Sequence, residues 1–164
     1  MYHRILVPLD GSVFAELALD HAGQIAVAGE TEVHLVTVAP LLSDQSLAVV
    51  DLYPVPAYHD YQADQSEEMQ QARGQYDDYL IQVAGRPPLT GHEVKTIVRF
   101  GHQPAEEIIS YAEDADCDLI VMSTHGRSGI GRWVYGSVAD KVLRGSHIPI
   151  FLVRAQENSA AQQN

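Results

Sequence analysis

Short apolar runs alternate with amphipathic stretches along most of this chain, and that alternation predicts strands alternating with helices. Residues 5–7, Ile5, Leu6 and Val7, form a buried-strand signal. Leu9, Asp10, Gly11 and Ser12 then supply a turn and a helix N-cap. The helix that follows carries Phe14, Leu17, Ala18, Ala22 and Ile25 as its apolar stripe and is expected to end at Gly29, Glu30 and Thr31. Residues 33–38 are rich in β-branched side chains and read as a second strand.

Residues 40–65 break the pattern. This irregular insertion is longer than most connections in compact domains and holds Tyr53, Pro54, Pro56, Tyr58 and Tyr61. Its tyrosines are expected to pack over the sheet edge, with a lid or partner surface as the alternative. Periodicity resumes over 66–83, where Met69, Ala72, Tyr76 and Leu80 share one side of a helix interrupted by Gly74. Residues 93–100 read as a third strand. Pro104 then opens a helix over 105–112 with Ile108 and Ile109 facing inward. A fourth strand is expected over 117–122, a fourth helix over 138–143 and a fifth strand over 148–153. The sum is an α/β fold, a single doubly wound parallel sheet with helices on both faces. Residues 1–155 make one domain, and 156–164 read as a polar, disordered tail.

Composition narrows the function. The chain has 164 residues, and ten Lys and Arg against 22 Asp and Glu give a formal net charge of −12. A field of that sign repels phosphate backbones and anionic lipid, so neither nucleic acid nor a membrane is an expected partner. The single cysteine, Cys117, allows no intrachain disulfide and reads as an inert core thiol. The first residues carry no secretory pattern, and the expected location is cytoplasmic.

Candidate chemistry gathers at two strand ends. Pro8 and Asp10 follow the first strand. After the fourth comes Ser123, Thr124, His125, Gly126, Arg127, Ser128, Gly129 and, further on, Gly131, Gly136 and Ser137. A strand, a glycine loop and a helix in that order are phosphate-binding equipment. Glycine lets backbone N–H groups approach an anion, and the helix start adds its positive dipole end. The glycine loop alone reads first as a plain strand-to-helix turn, and Asp10 serves equally as an ordinary turn former ahead of the Ser12 cap or as a site residue. Together they favour a ligand crevice beyond the strand ends, provided the first and fourth strands are neighbours.

Other chemistry finds less support. His125 has no acid or nucleophile at a recognisable spacing. Asp114, Asp116 and Asp118 imitate a calcium loop, but Leu119 and His125 stand where Gly and Glu belong. The histidines lack zinc spacing, and no Walker A loop, nucleophile elbow or dinucleotide fingerprint is present.

Residues 5–12 and the segment 123–137 together resemble the universal stress protein family, and the resemblance covers nearly the whole chain. The family's ATP-binding branch carries Gly-x2-Gly-x9-Gly-Ser/Thr. Here Gly126, Gly136 and Ser137 fit its later positions, and Ser123 replaces its first glycine. The resemblance implies strand order 3-2-1-4-5 in a five-stranded sheet. It also implies ATP as ligand, probed by Pro8 and Asp10 at adenine and ribose and by the Val38 backbone at the adenine edge. Backbone N–H groups of His125, Gly126, Arg127, Ser128 and Gly129, and of Ser137, Val138 and Ala139, would hold the phosphates. Mg²⁺ and the cations Arg127 and Arg132 would offset charge. The family further implies a homodimer through the strand at 148–153. The function expected is a nucleotide-regulated stress-response protein working through a protein partner. Slow ATP hydrolysis or phosphotransfer in the same pocket, and a dimeric scaffold that binds no nucleotide, are the alternatives, the latter resting on Ser123.

Overall fold

A computed structural model of the protein describes residues 1–41, 67–125 and 136–155. The elements run β1 (Arg4–Pro8), α1 (Val13–Ile25), β2 (Glu32–Ala39), α2 (Glu67–Ala84) and β3 (Glu93–Phe100). They continue as α3 (Pro104–Asp114), β4 (Leu119–His125), α4 (Ser137–Gly145) and β5 (Ile150–Ala155). The five strands form one sheet in the order β3-β2-β1-β4-β5, and every neighbouring pair is parallel. The expected order and class both hold.

A parallel sheet covered by helices on both faces needs strands that are apolar on both sides, which is why β1 reads as an unbroken run instead of an alternation. Ile5 and Val7 turn to one face and join Val33, Leu35 and Val121 there. Ala18, Leu19 and Ala22 of α1 and Leu80 and Val83 of α2 belong to the same cluster. Leu6, Val36, Ile120 and Met122 turn to the other, with Ala105, Ile108 and Ala112 of α3 and Ala139 and Val142 of α4. Among the described residues, no helix is long and apolar enough to cross a membrane.

Several boundaries differ from expectation. Helix α1 starts as expected, with the Ser12 hydroxyl accepting from the Ala15 N–H at 3.1 Å. It stops at Ile25, four residues before Gly29, because Ala26 turns extended. Gly29 instead serves the following turn with φ of +77°. Strand β4 begins at Leu119, not residue 117, because Asp116 takes φ of +50° and leaves Cys117 in the approach to the strand. The same strand runs on to His125 and so absorbs the first three residues of the expected loop. Likewise β5 begins at Ile150, after Pro149. Met69, within α2, is not described as a side chain, and the insertion beyond Leu41 and the tail 156–164 lie outside the described residues.

The end of the sheet where the strands start is tied by charge and hydrogen bonds. The Asp118 carboxylate accepts from the backbone N–H groups of His3 at 2.8 Å and Arg4 at 3.0 Å. Glu32 Oε2 accepts from Lys95 Nζ at 3.0 Å and pairs with His34 Nε2 at 3.1 Å. Those two hydrogen bonds, with Lys95 the stronger influence, hold the Glu32 carboxyl at about 2. The other ring nitrogen of buried His34 meets the Tyr111 hydroxyl at 3.0 Å. Cys117 sits beside it, buried, and burial pushes its thiol up to about 11. That is a core thiol, kept from the thiolate form that reacts.

Candidate functional site

At the opposite end of the sheet the central strands part. The β1–β4 ladder comprises only Ile5↔Leu119 and Leu6↔Ile120, whereas β1–β2 holds for five pairs and β4–β5 for six. A crevice opens beyond that short ladder, where chain connections leave in opposite directions. Its β1 side is rigidly placed. The Leu9 N–H donates to the Val36 carbonyl at 2.8 Å, and the buried Thr37 hydroxyl donates to the Leu9 carbonyl at 3.0 Å. Asp10 Oδ1 accepts from the Ser12 N–H at 2.9 Å, so the carboxylate does shape the turn while also lining the crevice.

The cavity there has a volume of about 310 Å³. Of the residues singled out from sequence, Pro8, Asp10, Val38, Ser123, Thr124, Gly136, Ser137, Val138 and Ala139 all lie in its lining. His125 ends β4, paired with Ala155, and its side chain is not among those described. Gly126, Arg127, Ser128 and Gly129 lie outside the described residues, as does Arg132. Sequence reasoning missed Leu9, Ala15, Val36, Pro104, Ile108 and Met122. The available signal was the inward face of α3, where Pro104 and Ile108 are four residues apart and therefore on one side.

The lining is graded. Val36, Val38, Pro104 and Ile108 give an apolar wall on the β2 and α3 side. Gly136 to Ala139 give the start of α4 on the other. Among the described lining residues Asp10 alone is charged.

Four helices begin at this end of the sheet, and α1, α3 and α4 differ in what meets their first N–H groups. Ser12 caps α1, whose first turn also carries Glu16. Helix α3 has Pro104 in its opening turn, which lacks an N–H, followed by Glu106 and Glu107. The Arg99 guanidinium, 2.8 Å from Glu107, ties that turn back to β3. Helix α4 starts from Gly136, which has no side chain to cap it. Its acidic first-turn residue, Asp140, is paired with Arg144 at 2.9 Å. Neither α3, at Gln103, nor α4, at Gly136, has a side-chain cap among the described residues, and the α4 start, which keeps all its backbone N–H groups, is open to an anion.

One polar atom in the site is unaccounted for. Ser123 Oγ has no solvent exposure and no hydrogen-bond partner among the described residues. Such a hydroxyl costs roughly 1–3 kcal/mol.

A model of the universal stress protein family matches residues 1–154. A universal stress protein of Methanocaldococcus jannaschii, MJ0531, is 32% identical over 157 residues, covering 94% of this chain and 83% of the relative. The solved structure of MJ0577 from the same organism superposes with a TM-score of 0.70 at 27% identity, covering 96% of this chain and 99% of that one. A universal stress protein solved in complex with cAMP shares the fold at a TM-score of 0.64 and 21% identity, covering 93% and 97%. With the family match spanning nearly its whole length and its strand order agreeing, this chain belongs to the universal stress protein family.

Proposed function

We propose that the crevice binds an adenine nucleotide, ATP with Mg²⁺, and that occupancy regulates the protein's assembly or its contact with a partner. The observation that carries this reading is the pairing of an apolar wall with an uncapped helix start across one cavity. A purine face suits Val36, Val38, Pro104 and Ile108. The phosphates suit the N–H groups of Ser137, Val138 and Ala139, extended by those the sequence supplies from His125 to Gly129. Asp10 is an acceptor for the sugar. The cAMP complex of another protein of this fold supports the choice of adenine.

Among the described residues no three His, Cys, Asp or Glu side chains gather to hold a metal. Mg²⁺ would therefore ride on the phosphates, with Asp10 as the nearest described carboxylate, which is how this ion commonly binds beside nucleotides. Its contribution when bound is charge neutralisation in a chain of net charge −12.

For assembly we infer a homodimer through β5. That strand is an edge of the sheet, and its Phe151 side chain is 40% exposed.

The test is a thermal-shift comparison of the protein with Gly136→Val. A Cβ at Gly136 meets no atom of the described residues within 4 Å, so the variant is expected to fold, but its branch projects where the phosphates would lie on this reading. MgATP is expected to raise the Tm of the original protein and leave that of the variant unmoved. An equal rise in both would refute the α4 assignment.

A further inference from the structure

We infer that Ser123 is a sugar-reading residue, its hydroxyl hydrogen-bonding a ribose hydroxyl of the bound nucleotide. The inference rests on the nucleotide reading above and adds a contact that a glycine at this position could not make. Three observations carry it.

The first is that Ser123 Oγ lacks both solvent and a partner among the described residues while Ser123 itself lines the cavity. A buried hydroxyl is a group whose hydrogen bond must be found somewhere, and in a ligand crevice the ligand can supply it. An alanine would fill nearly the same space with no such need.

The second is placement. Along β4, Leu119 and Val121 belong to the cluster on the α1 face, and Ser123 continues that alternation. Leu9 and Ala15 lie on the same side and are also in the lining. Ser123 therefore sits toward the start of α1, on the side of Asp10, while the apolar wall and the start of α4 lie on the other face of the sheet. A nucleotide lying in the crevice beyond β1 and β4 would pass the ends of those strands, where Asp10 and Ser123 both line the cavity.

The third is chemical complementarity. The Asp10 carboxylate only accepts hydrogen bonds, and backbone N–H groups of α4 only donate them. A serine hydroxyl does both. A vicinal diol has two hydroxyls that each donate and accept, so Asp10 can accept a hydrogen bond from one and Ser123 can pair with the other. A phosphate oxygen, which only accepts, makes less use of this arrangement.

The test is a cycle of calorimetric titrations with ATP, 2′-deoxyATP and 3′-deoxyATP, each against the original protein and Ser123→Ala, all with Mg²⁺. The original protein is expected to bind ATP more tightly than either deoxy analogue, since each lacks one of the two contacted hydroxyls. Ser123→Ala should weaken ATP binding by roughly two- to tenfold, the worth of one ordinary hydrogen bond. For the analogue lacking the hydroxyl that Ser123 contacts, the two proteins should bind alike. Unchanged ATP affinity in Ser123→Ala would overturn the inference, and so would an equal loss for all three ligands. Failure of the original protein to bind any of them would instead refute the nucleotide reading itself, an outcome visible without the variant. The Tm of Ser123→Ala is expected to equal or exceed that of the original protein, which separates a ligand contact from a structural one.

Discussion

The two ends of the sheet are built on opposite plans. Where the strands start, Asp118, Glu32, Lys95, His34, Tyr111 and Arg4 form a network in which polar groups face polar groups. His92 Nδ1, in the turn before β3, is the exception there. Where the strands finish, β1 and β4 separate, and among the described residues α4 starts without a side-chain cap and Ser123 Oγ has no partner. On the proposed reading, binding capacity is held as unmet hydrogen bonds, concentrated at the end where the strand order reverses. The opposite end spends its polar groups on the fold.

That contrast predicts that substitutions at the two ends have separable effects. Ser137→Asp is expected to give the largest. An acidic residue in the first turn of α4 favours the helix by about 0.3–1 kcal/mol, yet it places a negative charge where the phosphates belong. MgATP affinity should fall more than tenfold while the Tm holds or rises, as calorimetry and a melting curve together would show. A joint fall in both would mean that this helix start serves the fold, as its counterparts do.

At the other end, Tyr111→Phe removes the hydroxyl facing buried His34 and is expected to cost about 1–3 kcal/mol in denaturant unfolding, with nucleotide affinity unchanged. A change in affinity would show that the ends communicate. Ser12→Ala, which uncaps α1, should cost about 1 kcal/mol.

The smallest effect concerns acid. Folded, Glu32 keeps its charge down to about pH 2, whereas unfolded it takes up a proton near 4.5. Its contribution is complete above pH 4.5 and disappears as pH falls toward 2. Glu32→Gln should therefore flatten the acid limb of stability over that window and do little at pH 7 relative to pH 5. An unaltered acid limb would show that the carboxyl is not so held.

How far the sequence could be read follows the same division. Strand β3 was legible to the residue, and so were the Ser12 cap and the opening of α3 at Pro104, since each depends on local propensity. The start of β4 was not, because the left-handed turn at Asp116 uses a residue with no obligate signal for it. Nor was the end of α1, where Gly29 drew attention from the true stop at Ile25. In the crevice, Asp10, Ser123 and Gly136 to Ala139 could be found by motif. The apolar wall could not, because Val36, Ile108 and Met122 belong to the core as well, and periodicity does not tell a core position from a cavity wall. The substitution at Ser123 was visible in sequence, but its unpaired hydroxyl appears only once the strands are placed.

Binding of an adenine nucleotide in the crevice is tested most directly by calorimetric titration of MgATP into nucleotide-stripped protein. Saturable heat at close to one site per chain is the predicted result. Absence of heat, with no adenine nucleotide released on stripping, would contradict it and make the open end of the sheet a surface for protein partners.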